Sequence, residues 1–179
     1  KYWHTIGLQN TSNICKGSNF TDKGDNIVVT TNIKSIANCI LPVANTQIKY
    51  TIYRNGNILV DVNCLGGGAV KLLPRVCVML EMPKEYENIK YFGLGEDVNL
   101  PDYKEHTINK IYQTTVDKLK EDYIKPQESA TRCDVRFAEI TNASGVGLRF
   151  EAVNKPFIFS ASHYTSNQWA KAMHRDDLV

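Results

Sequence analysis

No apolar run in the 179 residues approaches the ~20 needed to cross a bilayer as a helix. The opening stretch KYWHTIGLQN does not read as a signal peptide, because no continuous apolar region follows its charge. Basic residues form no long run, and 21 Lys and Arg stand against 19 Asp and Glu, a net charge of +2. That balance argues against a nucleic-acid or anionic-membrane partner. Cysteines are few: Cys15, Cys39, Cys64, Cys77 and Cys133. Their odd count and the lack of any C-x-x-C pair argue against zinc, and reduced, mostly buried thiols are expected. His4, His106, His163 and His174 show no H-x-x-x-H spacing, so no metal set is read. No G-x-S-x-G nucleophile motif occurs. Gly66-Gly67-Gly68 is followed by no Lys-Ser/Thr pair, which removes a phosphate loop and leaves a flexible connection between strands. No repeat, low-complexity tract or Pro/Ser-rich linker is found, so residues 1–179 are read as one domain. A chain of this length buries roughly 70% of its unfolded surface.

What is present is a period of two. In QIKYTIYRNGNILVDVNC, Ile48, Tyr50 and Ile52 alternate with polar residues before Asn55-Gly56. Ile58, Val60, Val62 and Cys64 alternate after it. Asn-Gly accepts the positive φ angles of a type I′ turn, which predicts a two-residue hairpin. Residues 27–33 are rich in β-branched types and read as a strand. In RVCVMLEMP, Val76, Val78, Leu80 and Met82 share a face and Pro83 closes the strand. Val146, Leu148, Phe150 and Ala152 alternate after a turn containing Asn142 and Gly145, and FIFSASHY continues the pattern. The expected fold is all-β, of antiparallel sheets packed face to face.

Helical signals are sparse. Ser166 is the expected cap of a short helix over 166–174 carrying Trp169 and Met173. Residues 107–123 set Ile108, Ile111, Tyr112, Leu119 and Tyr123 near one helical face. Thr107, Thr114, Thr115 and Val116 oppose a helix there. Trp3, Ile6 and Leu8 at one end and HRDDLV at the other give both ends the look of cuts through packed structure.

Chemistry is thinly marked. Glu96, Asp97, Asp102, Glu128 and Asp134 are acidic, but a glycosidase needs two carboxylates about 5–9 Å apart, which spacing alone does not place. Tyr91, Phe92, Tyr103, Tyr112, Tyr123 and Trp169 suit sugar stacking and core packing equally. His163 reads as a hydrogen-bonded structural residue. Asn10, Asn19 and Asn142 begin N-x-S/T triplets, which matter only in a glycosylating pathway.

Two segments carry a resemblance. YFGLGEDVNLPDYK (91–104) is similar to an aromatic-aromatic-G-x-G-P-x-E-N-Y-x-D-R pattern. YIKPQESATRCDVRF (123–137) is similar to Y-x-x-P-Q-E-x-G-N-R-x-D-V-R-W. Both patterns belong to the C-terminal β-domain of large bacterial β-galactosidases of glycoside hydrolase family two. WHTIGL (3–8), LPRVCVMLEMP (73–83), FIFSASHYT (157–165) and AMHRDDL (172–178) resemble flanking segments in the same order. Gly93, Gly95, Asn99 and Asp102 match the first pattern. Pro126, Gln127, Glu128, Arg132, Asp134, Val135 and Arg136 match the second. Glu96, Val98, Leu100 and Tyr103 depart from the first, and Ala130, Thr131 and Phe137 from the second.

The resemblance implies a supersandwich similar to galactose mutarotases, cut at both ends. It implies a parent that is a retaining exo-β-galactosidase acting on terminal β-galactosides, bacterial and cytoplasmic or periplasmic. Its two catalytic glutamates and its magnesium are expected on a separate barrel, with no metal, cofactor or catalytic residue in this chain. The partners implied are the parent's other domains and the β-galactoside, with no nucleic acid and no membrane. Gly93, Gly95, Asn99 and Asp102 are expected in a loop at the active-site rim, with the glycines either adapting that loop or only shaping a tight turn. Pro126, Gln127, Glu128, Arg132, Asp134 and Arg136 are expected to be structural. For residues 107–123 the resemblance favours an irregular or extended path over the helix. Two other readings stay open: an autonomous mutarotase-like aldose 1-epimerase using His163, and a non-catalytic carbohydrate-binding module.

Overall fold

A computed structural model describes residues 2–68, 70 and 72–178. The chain is all-β and antiparallel, with short helical turns, and it divides into two compact units, Lys1–Met79 and Leu80–Val179. In the first, a helical turn α1 (Tyr2–Thr5) precedes β1 (Thr11–Asp22), β2 (Asn26–Ala37), β3 (Leu41–Tyr53) and β4 (Ile58–Gly66). These pair in sequence order as one antiparallel meander. Register aligns Ile27, Ile52 and Ile58 in one row and Val29, Tyr50 and Val60 in the next. The period-two alternation therefore becomes one apolar sheet face. Much of it stays open, with Phe20 75% and Ile58 56% exposed. The buried core of this unit is small: Ala37, Val43, Ala44 and Val70, with Ile6, Leu8 and Leu41 against them.

The second unit holds β5 (Asn88–Gly95), β6 (Ile108–Thr115), the helical turn α2 (Val116–Leu119), β7 (Arg132–Val135), β8 (Phe137–Thr141), β9 (Gly147–Glu151), β10 (Phe157–Phe159) and α3 (Ser166–Lys171). One sheet runs β6-β5-β8-β9, and β10 pairs with β7 in a second. Burial alternates along β5, so Ile89 and Tyr91 enter the core with Tyr112, Leu119, Val135, Ala138 and Ile140.

Several expectations change. The Asn55-Gly56 hairpin forms, but its loop has three residues, not two. Tyr53 N–H donates to Asn57 O at 2.9 Å and Gly56 N–H to Tyr53 O at 3.0 Å, and Gly56 has φ +87° while Asn55 does not turn positive. This is a type I turn closed by a left-handed glycine. Asn142–Val146 repeats the pattern, with Gly145 at φ +78°. RVCVMLEMP forms no ladder among the described residues, and Val76, Val78 and Leu80 are exposed. Alternation supplied a face there, but a strand also needs a neighbour's N–H and C=O groups. Pro83 opens a turn instead, accepting from Tyr86 N–H at 3.1 Å. Residues 108–115 are strand, as the resemblance implied, and only 116–119 turn helical. The last helix is capped by Thr165, one residue before the expected Ser166, and ends at Lys171 rather than 174. Thr165 and Gln168 cap each other's backbone reciprocally, which fixes the start. The thiols are less buried than expected: Cys15, Cys39 and Cys77 are exposed, on an edge strand, in a turn and in the unpaired segment.

The 142–146 hairpin makes two glycines separable. Gly145→Ala meets no atom but must hold φ +78° and is expected to cost about 1–2 kcal/mol. Gly147→Ala drives its Cβ into the Ile140 carbonyl oxygen and is expected to cost more, about 3 kcal/mol or above. Urea denaturation of both variants tests the order, and equal losses would contradict it.

Candidate functional site

The fold brings the two signature segments together. Residues 96–107 leave the end of β5 and return to β6. Asn99, in that loop, is fully buried, at 0% exposure. Its side-chain amide donates to Leu94 O at 3.2 Å and Asp97 O at 3.0 Å, and its Oδ1 accepts from Cys133 N–H at 2.6 Å. Its backbone N–H donates to Thr131 O at 3.1 Å. The Cys133 thiol, pushed up in pKa by burial and then by Asp134, donates to Asn99 O at 3.6 Å. Asn99 is therefore a clamp between loop 96–107 and β7, with both amide hydrogens and its oxygen engaged.

Gly93 and Gly95 lie inside β5, neither in an adaptable loop nor in a tight turn. A Cβ on Gly93 would stand 2.8 Å from Val135 Cγ2. One on Gly95 would overlap the Tyr91 hydroxyl and stand 2.9 Å from the Tyr112 ring. Glycine is required at both places so that β7 and the tyrosines can approach. The Tyr112 hydroxyl lies 2.7 Å from the carbonyl oxygens of both Gly95 and Ile108, holding the two mouths of the loop together. Burial, then Glu96 and Asp97, raise its pKa. At the far side Lys104 Nζ donates to Asp134 Oδ2 at 3.0 Å, which raises the Lys104 pKa. Leu100 and Tyr103 exchange two backbone hydrogen bonds of 2.9 Å. Glu96, Asp97, Leu100, Asp102 and Tyr103 are among the residues this held loop exposes.

The second signature divides. Arg132 is 2% exposed, and its guanidinium donates to Thr131 O at 2.9 Å and Leu119 O at 3.3 Å. Its Nε is buried with no partner among the described residues. Tyr91 beside it has its phenol raised by burial, which the hydrogen-bonded Arg132 opposes only in part. Asp134 takes left-handed φ +53° and meets Lys104. Arg136 is exposed, its guanidinium 4.9 Å from the Phe92 ring centre, while its N–H donates to Phe92 O at 2.7 Å. Pro126 is buried; Gln127 and Glu128 are exposed, and Glu128 Oε2 is 3.5 Å from Ser166 Oγ. Spacing had not shown that Asn99 and Cys133 touch, and no local signal reports a contact across 34 residues.

His163 Nε2 lies 2.9 Å from Glu87 Oε2, and Glu87 Oε1 accepts from Asp117 N–H at 2.9 Å. The acid and the imidazole expected of an epimerase thus bind each other and a helical turn. Among the described residues no three His, Cys, Asp or Glu side chains are grouped to hold a metal ion.

A family model described as "Beta galactosidase small chain" matches residues 1–179. The chain is similar to Beta-galactosidase BgaC of Bifidobacterium adolescentis, 30% identical over 168 residues, covering 92% of this chain and 16% of the relative. It is similar to a beta-galactosidase of Vibrio cholerae, 27% identical over 177 residues, 99% of this chain and 16% of the relative. A beta-galactosidase of Lactobacillus delbrueckii subsp. bulgaricus is 33% identical over 142 residues, 78% of this chain and 14% of the relative. The chain thus spans only a small part of the length of these relatives.

Asn99→Ala strands the Cys133 N–H and two carbonyls, each costing about 1–3 kcal/mol when buried unpaired. The expected loss of stability is about 3–5 kcal/mol, and exposed Asp102→Asn is expected to stay within about 0.5 kcal/mol. Chemical denaturation compares the two; a mild Asn99→Ala would show that the clamp is dispensable.

Proposed function

The chain belongs to the beta-galactosidase small-chain family, and on that footing we propose that it is an accessory β-domain of a larger β-galactosidase. The observation that carries this reading is the match over residues 1–179, with relatives of which the chain spans 16%. In this reading the two units are parts of one sandwich domain. The parent is a bacterial enzyme of glycoside hydrolase family two, cytoplasmic or periplasmic, that cleaves terminal β-galactosides with retention. Its glutamate pair and magnesium sit on a barrel outside these residues, and that barrel, the other domains and the galactoside are the chain's partners.

Loop 96–103 borders the substrate in this proposal. What supports it is the combination of an exposed tip with a buried anchor. A rim loop must present groups at fixed positions, since a displacement of about 1 Å in a positioning element can cost ~10²-fold in rate. Tyr112, Asn99 and the Lys104–Asp134 pair hold the tip from three sides. The tip then offers Glu96, Asp97 and Asp102 as hydrogen-bond acceptors for hydroxyls and Tyr103 as an apolar face. Gly93 and Gly95 contribute by letting the anchor close, and Asn99 by holding it.

The purified chain is expected to give no turnover of an aryl β-galactoside and no acceleration of galactose mutarotation by polarimetry. Hydrolysis would overturn the accessory role, and mutarotation would favour the epimerase. Grafted in place of the matching segment of the Vibrio cholerae relative, the chain is expected to support hydrolysis, with Tyr103→Ala raising KM several-fold. An unchanged KM in that graft would remove the loop from the rim.

A further inference from the structure

Two residues of the second signature, Tyr123 and Pro126, are used by neither the clamp nor the rim loop. They line a cleft of about 220 Å³ whose opposite wall is Tyr164, Trp169 and Leu178. No residue of the 93–103 segment lines it. The aromatic wall is built and rigid. Trp169 is 6% exposed, packs edge-on to Tyr164 at 5.3 Å, and donates its Nε1–H to Ser162 Oγ at 3.2 Å. The Tyr164 hydroxyl donates to Leu178 O at 3.2 Å. Tyr123 differs: the residue is 38% exposed, and its backbone N–H donates to Glu121 O at 3.0 Å.

The charge around the cleft is balanced. Lys120 and Arg175 bring two positive groups, and Glu121 and Asp122 two negative ones. Lys120 is already held, 2.5 Å from Asp117 Oδ1 and 5.9 Å from the centre of the Tyr164 ring. Arg175 and Asp122 meet at 3.5 Å with both side chains mostly exposed, so their bridge opens easily. A net-neutral lining gives little attraction to a formal ion. It does offer donors and acceptors side by side around an exposed aromatic face. That combination recognises a neutral, polyhydroxylated ring, whose hydroxyls take the polar rim and whose C–H face lies on the phenol. The volume falls below the roughly 300–1,000 Å³ of drug-sized sites, which limits the occupant to one ring.

We propose that this cleft is a carbohydrate subsite for a single neutral sugar ring, with Tyr123 as its stacking platform and Asp122 and Arg175 as its hydroxyl partners. It stands independently of the galactosidase reading, because it needs no barrel and no hydrolysis. The test uses the full 179-residue chain carrying Trp3→Phe, which leaves Trp169 as the only tryptophan. Titration with galactose and with methyl β-galactoside is expected to give a saturable Trp169 fluorescence change with Kd on the order of millimolar. Tyr123→Ala is expected to weaken it at least about tenfold, Tyr123→Phe to preserve it, and Asp122→Ala to weaken it several-fold, all with unchanged circular dichroism. No saturable response, a response untouched by Tyr123→Ala, or saturation by sodium sulfate in place of sugar would each overturn the proposal.

Discussion

The second unit depends on one buried amide. Asn99 reaches Leu94, Asp97, Thr131 and Cys133, so a single side chain and its own backbone tie the end of β5, the following loop and β7. Burying an amide without partners costs several kcal/mol, so a site like this is stable only when every bond is made together. That condition propagates. The Cys133 N–H can meet Asn99 only if β7 lies close to β5, and β7 lies close only because Gly93 has no side chain to strike Val135. The same holds at Gly95, where the missing Cβ leaves room for Tyr91 and Tyr112. Tyr112 then closes the mouth of the loop through its hydroxyl. A glycine in a strand interior ordinarily weakens it. Here two glycines make the approach of β7, Tyr91 and Tyr112 possible.

This arrangement separates holding from presenting. The residues that hold the loop are buried or, like Lys104 and Asp134, paired, and those it presents include Glu96, Asp97, Leu100, Asp102 and Tyr103. The presented set includes three positions, 96, 100 and 103, where the chain departs from the family pattern. The holding set includes Gly93, Gly95, Asn99 and Asp134, where it agrees. Departure at the tip with agreement at the anchor is what a retained scaffold with altered contacts would look like.

Much of the fold was legible because its signals are local. Alternation over 48–64, an Asn-Gly pair and β-branched residues specify a hairpin without reference to the rest of the chain. The same logic misjudged the loop length, since two and three residues differ by one left-handed glycine and one hydrogen bond, and Asn-Gly serves either. It failed more fully at 76–82, where the alternation is good but pairing is a non-local condition. The clamp was legible in part. Asn99 stood out as a matching residue, yet its burial and its contact with Cys133 follow from tertiary closure that no periodicity encodes. Thr165 was missed because Thr-Ser are adjacent and both cap; only Gln168, three residues on, distinguishes them.

Arg132 shows how far the second signature serves structure before chemistry. A guanidinium at 2% exposure, bonded to two backbone carbonyls and to Tyr91 but with one nitrogen unpaired, is an expensive way to fill space. What it gains is reach: Leu119 ends the helical turn after β6, Thr131 precedes β7, and Tyr91 is the centre of β5. No apolar side chain can satisfy carbonyls on two such segments while touching the third, so the charge does the work of a cross-brace. Tyr123 and Pro126, in the same signature, do the opposite, standing at a cleft wall where nothing in the brace needs them. A motif that spans both environments marks the fold at Arg132 and leaves Tyr123 exposed at the surface.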